Sequence, residues 1–151
     1  MSSGQSDRPY ASFGRGPFGR WAIVTGRKGG ALRVEVYLNK RDRARNKGVF
    51  DRMAAEQARW DAAAGEPLSW ERLPERDASR IAARYAGTLN LDDEASRAFA
   101  RDWTGEVLEK MYKAMDAQLR AEGEAVKAGL ASAGDEEPDE DDLDDDDGPL
   151  G

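Results

Sequence analysis

The residues of this 151-residue chain whose types and spacing could do chemistry are arginine, lysine and tyrosine. Arg33 and Tyr37 stand in the run Leu32-Arg-Val-Glu-Val-Tyr-Leu38, and Arg80 and Arg84 in Ser79-Arg-Ile-Ala-Ala-Arg84. Even spacing places such residues on one face of a strand, where guanidinium groups could hold phosphate and a tyrosine ring could stack a base. Glu35, Ser69 and Glu71 fall on the same face, so the competing expectation is ordinary cross-strand ion pairing on an exposed, solvated sheet surface. A second basic run contributes Lys40, Arg41, Arg43, Arg45 and Lys47 at the start of a helix, with Arg27 and Lys28 carried beside it by a hairpin. Such a cluster attracts phosphate backbones, and a helix N-terminus would add its amides; a solvated charge run is the alternative. Arg15 and Arg20 would extend the patch.

What is missing narrows the chemistry. The chain has no cysteine and no histidine, which excludes thiolate catalysis, a Ser-His-Asp triad and a histidine-ligated zinc site. Neither Glu35-Val-Tyr37 nor Glu71-Arg-Leu73 supplies the carboxylate and lysine set of a nuclease, and Gly26-Arg-Lys-Gly29 lacks the terminal Lys-Ser/Thr of a phosphate loop. The acidic end lacks the spacing of a calcium loop. No enzyme, cofactor or metal is expected.

Charge is distributed unevenly. The net charge of −7 arises because eleven acidic residues and no base lie between Asp135 and Asp147; residues 1–134 hold 23 bases against 19 acids. Residues 1–60 alone carry 13 bases and 5 acids, whereas residues 61–134 carry 10 and 14. A basic first half and an acidic tail on one chain suggest that the tail masks the basic surface, or imitates a polyanion toward a partner, or only confers solubility.

The elements that must position these residues follow from periodicity. Residues 1–19, with Gly14, Gly16, Pro17 and Gly19 and no apolar period, are expected to be a flexible arm. Trp21, Ile23 and Thr25, then Leu32, Val34, Val36 and Leu38, alternate as strands, joined by a hairpin at Gly26-Arg-Lys-Gly-Gly30. Apolar positions from Val49 to Ala64 have helical spacing, which predicts one helix capped by Asp42 and ended by Gly65. Leu68 and Trp70, then Ile81, Ala83 and Tyr85, predict a second hairpin. Phe99, Trp103, Val107, Met111, Met115 and Leu119 predict a long amphipathic helix to about residue 127. The expectation is therefore an α+β domain over 20–127: a four-stranded, mainly antiparallel sheet in the order β-β-α-β-β-α, with two helices on one face and a disordered acidic tail over 128–151. Trp21, Trp60, Trp70 and Trp103 fall on apolar faces and should pack in the core.

The segments Leu32-Arg-Val-Glu-Val-Tyr-Leu38, Asn46-Lys-Gly-Val-Phe-Asp51, Gly65-Glu-Pro-Leu-Ser-Trp-Glu-Arg-Leu73 and Ala78-Ser-Arg-Ile-Ala82 resemble a bacterial family of small domains of unknown function. Its members often stand C-terminal to predicted nuclease or restriction-type domains. The resemblance spans roughly residues 20–120 and implies nucleic-acid or defence-related partners such as a nuclease. With no apolar leader or membrane span in the sequence, a cytoplasmic location is expected. The functional expectation is a non-enzymatic binding or regulatory protein acting through its basic first half. An anti-defence factor whose tail mimics DNA, or an enzyme built only from carboxylates, lysine, arginine and tyrosine, is the alternative.

Overall fold

The structure is a computed structural model that describes residues 10–25, 32–87, 89–90 and 92–132. Five strands form one sheet in the order β1-β2-β3-β5-β4, every neighbouring pair antiparallel: β1 Tyr10–Gly16, β2 Gly19–Thr25, β3 Leu32–Leu38, β4 Ser69–Glu71 and β5 Ser79–Arg84. Three helices, α1 Arg43–Ala54, α2 Gln57–Ala64 and α3 Glu94–Ser132, complete an α+β fold.

Two expectations are corrected. The sheet has five strands rather than four, because residues 10–16, read as part of an arm, pair with β2. The pairing survives the glycines by a register shift between Phe13 and Gly16, where Gly14 takes φ 58°. Gly19, at the start of β2, is required by a close approach: φ is 141°, and a Cβ there would lie 2.0 Å from the Tyr37 carbonyl oxygen. The second correction is that α1 and α2 replace one helix. The break at Ala55 and Glu56 re-aims the chain so that Trp60 and Ala64 reach the core. The expected ends hold. Asp42 accepts from the Ala44 amide at 2.8 Å, and Gly65 adopts a left-handed φ of 81° while donating to the carbonyls of Asp61 and Ala62.

All three helices pack on one face of the sheet. Trp21, Val34, Val36, Leu38, Ile81 and Ala83 meet Val49, Phe50 and Met53 of α1, Trp60 and Ala64 of α2, and Val107, Met111, Met115 and Leu119 of α3. The tryptophans pack as expected, Trp21 and Trp60 fully buried and Trp70 and Trp103 half-buried against the cluster. Two indole N–H groups find acceptors: Trp21 donates to Asp116 of α3 at 2.9 Å, and Trp70 to Asp61 of α2 at 3.0 Å. The proposed hairpin loop at 26–30, residues 1–9 and the acidic tail lie outside the described residues. No described helix is long and apolar enough to cross a membrane.

Candidate anion-binding sheet face

Strand register sets the composition of the face opposite the helices. Directly paired residues share a face, so Arg20, Tyr37, Arg80 and Glu71 form one row across β2, β3, β5 and β4. Ala22, Glu35, Ala82 and Ser69 form the next, and Val24, Arg33 and Arg84 a third. The alternation read from the sequence is therefore correct, and it brings Arg33, Tyr37, Arg80 and Arg84 together. Arg20, expected only to extend a patch from the arm, belongs to the same face as a β2 residue.

The ion pairing is extensive. Arg33 Nε lies 2.6 Å from Glu35 Oε1, and Arg80 Nε lies 3.0 Å from the same oxygen. Arg80 Nη1 and Arg84 Nη2 each stand 2.7 Å from Glu71, which also accepts from Ser69 Oγ at 2.5 Å. The guanidiniums of Arg20 and Arg80 lie 5.1 Å and 5.6 Å from the centroid of the Tyr37 ring, so the aromatic face sits between two cations. The face is not the exposed surface expected from sequence. Arg33 is 1 % exposed, Tyr37 2 %, Glu35 3 %, Arg20 4 % and Arg80 5 %, while Arg84 is exposed.

This environment shifts two titrations. Burial pulls the Arg33 guanidinium below its ordinary range, with Glu35 opposing and Arg80 adding to the effect. Burial alone would raise the Glu71 carboxyl, but hydrogen bonds from Ser69, Arg84 and Arg80 together hold it below the usual carboxylate value. Four arginines against two carboxylates leave a surplus of positive charge among the described side chains of this face, since β1 carries no acid. Arg20, Arg33, Tyr37 and Arg80 each make a further interaction besides those named.

The second basic cluster divides. Arg27 and Lys28 lie outside the described residues. Lys47 is turned inward, where its ammonium donates to the carbonyls of Arg72, Leu73 and Ala78 and to Ser79 Oγ. It holds the β4–β5 loop, in which Leu73 adopts the left-handed φ of 55° that a non-glycine residue rarely takes. Arg45 is also buried and donates to the Pro17 carbonyl at 2.9 Å, tying α1 to the β1–β2 turn. Arg43 is exposed but donates to the carbonyls of Pro74 and Arg76. The Asn46 side chain, which sequence reasoning passed over, accepts from the Lys40 amide and donates to the carbonyls of Lys40 and Asp77. These residues clamp loops, whereas Lys40 and Arg41 lie just past the end of β3, Lys40 buried and Arg41 exposed. Of the helix amides expected to serve an anion, that of Ala44 is taken by Asp42. Among the described residues no group of three or more carboxylates is placed to hold a metal ion.

Comparison with known sequences and structures finds no match among curated proteins and none among solved structures. A family match does exist, and residues 16–118 cover β2 to β5, α1, α2 and the first part of α3: the chain belongs to the family described as Domain of unknown function (DUF4268).

Proposed function

We propose that this protein is a non-enzymatic, cytoplasmic binding protein whose arginine-rich sheet face takes the phosphate backbone of a nucleic acid, in the nuclease- or defence-linked setting that the family resemblance implies. One observation carries the reading: Arg20, Arg33, Arg80 and Arg84 gather on one face around Tyr37, together with Glu35 and Glu71. Arginine suits this role because its planar fork engages phosphate oxygens through two N–H groups and stays charged when desolvated. Tyr37 lies buried between the Arg20 and Arg80 guanidiniums, and Arg41, exposed just past the end of β3, adds a further cation.

Fluorescence anisotropy with a labelled single-stranded oligonucleotide tests the reading. The native chain and a full-length variant with its eleven tail acids changed to amides are compared. Binding is expected to weaken by about 30-fold to 100-fold between about 50 mM and about 200 mM salt. Arg84→Gln combined with Arg41→Gln should lower affinity for all sequences alike and reduce the salt slope by about one per residue. Absence of binding by both forms at low salt sinks the proposal.

A further inference from the structure

Glu71 is held on the sheet face as an incoming anion would be. Its Oε1 accepts from Arg80 Nη1 at 2.7 Å, and its Oε2 accepts from Arg84 Nε at 3.1 Å and Nη2 at 2.7 Å. Guanidiniums that close on the oxygens of one anionic group are the arrangement with which arginines hold a phosphate. Ser69, two residues earlier and on the same side of β4, donates its hydroxyl to Oε2 and completes the cradle.

This contact lies nearer the surface than the other ion pairs described on the face. The side chains of Arg33 and Glu35 are 2 % and 4 % exposed, whereas those of Glu71 and Arg84 are 19 % and 40 % exposed. A phosphate that approaches the face therefore meets Arg84 and finds Glu71 in its fork.

The strand that carries Glu71 is short and peripheral. β4 has three residues, all half-buried, and pairs with β5 at the sheet edge, so the order β1-β2-β3-β5 does not depend on it. Polar anchors fix it from the helix side. Asp61 of α2 accepts from the Leu68 amide at 3.2 Å and from the Trp70 indole at 3.0 Å. Lys47 of α1 donates to the carbonyls of Arg72 and Leu73, and Arg72 pairs with Asp51 at 2.9 Å across an exposed surface. An edge segment tied by contacts that water can replace opens at a lower free energy than the central strands.

We propose that Glu71 is the specificity-determining residue of the sheet face: a tethered carboxylate that fills the Arg84 fork and yields, together with β4, to phosphates presented in series and not to a single phosphate ion. This proposal rests on the anion-binding reading of that face. A carboxylate fixed beside its arginines acts at high effective concentration and outcompetes a free ion, whereas a backbone gains neighbouring phosphate contacts as it displaces the carboxylate.

The four tryptophans lie on four different elements, with Trp70 on β4, so fluorine NMR of the full chain labelled with fluorotryptophan reads the strand directly. At low salt a single-stranded oligonucleotide is expected to shift the Trp70 resonance and leave that of Trp21, in the core beneath β2, in place. Inorganic phosphate at the same phosphate concentration is expected to shift neither. In anisotropy, Glu71→Gln should bind the oligonucleotide about tenfold more tightly, with an unmoved Trp21 resonance reporting that it is folded. Ser69→Ala, which loosens the carboxylate at constant charge, should tighten binding about threefold. Glu75→Gln, the same charge change on the exposed loop after β4, should alter affinity less than about twofold. Oligonucleotide binding that leaves Trp70 unmoved, equal gains from Glu71→Gln and Glu75→Gln, or inorganic phosphate bound as tightly as the same phosphates in a chain, overturns the proposal and leaves the functional reading standing. Absence of oligonucleotide binding by both the native chain and Glu71→Gln at low salt removes both.

Discussion

Lys47 sets charge against burial. Burial, with Arg43 and Arg72 nearby, draws its ammonium down to about 8 even though it donates to three carbonyls and a hydroxyl. Between about 8 and the ordinary 10.5 the unfolded chain therefore holds one proton more than the folded chain at this site, and stability should rise with pH across that window. Lys47→Met should flatten that rise in denaturant titrations. At neutral pH it should also cost about 2 kcal/mol, because the loop carbonyls lose their donor. Glu71 has the opposite sign. Its carboxyl is held below the ordinary 4.5, so its contribution is present above that pH and is lost as pH falls through the lowered value. Glu71→Gln should make the acid limb of unfolding shallower and destabilise the neutral protein by about 1–3 kcal/mol, as Arg80 loses one of its carboxylate partners.

At the scale of elements, glycine positions give the sharpest tests of α3 docking. Gly123→Ala places a methyl against the backbone of the β1–β2 turn, and should cost about 1–3 kcal/mol in thermal or denaturant unfolding. Gly105→Ala, on the same helix with nothing within 4 Å, should instead stabilise by about 1 kcal/mol. Equal effects at the two sites would contradict the docking described. The elements that sequence revealed are those with unbroken periods: Leu32 to Leu38 alternates strictly, and Phe99 to Leu119 keeps a helical stripe. Those it concealed lack such a signal. Tyr10–Gly16 is glycine-rich and pairs through a bulge, so neither apolar alternation nor β propensity marks it. The break between α1 and α2 falls at Ala55 and Glu56, good helix formers that only tertiary packing of Trp60 could turn aside. The sheet-face register was legible for the same reason as the strands, whereas the inward turn of Arg45 and Lys47 was not, because their partners are loop carbonyls more than 20 residues distant in sequence.

For the whole molecule, overall composition points the wrong way. A net charge of −7 describes a chain whose sheet face gathers four arginines around a tyrosine, and in which eleven of the thirty acids lie in one terminal run. Bulk acidity disfavours non-specific binding of polyanions, whereas the local arrangement of charge on one face governs what that face can hold. The most direct test of that account is the salt dependence of single-strand binding by the full-length variant with its eleven tail acids changed to amides. The account predicts a linear fall of log affinity with log salt, with a slope of roughly −3, and a shallower line for the same protein carrying Arg41→Gln and Arg84→Gln. A slope near zero, or lines of equal slope, would contradict it.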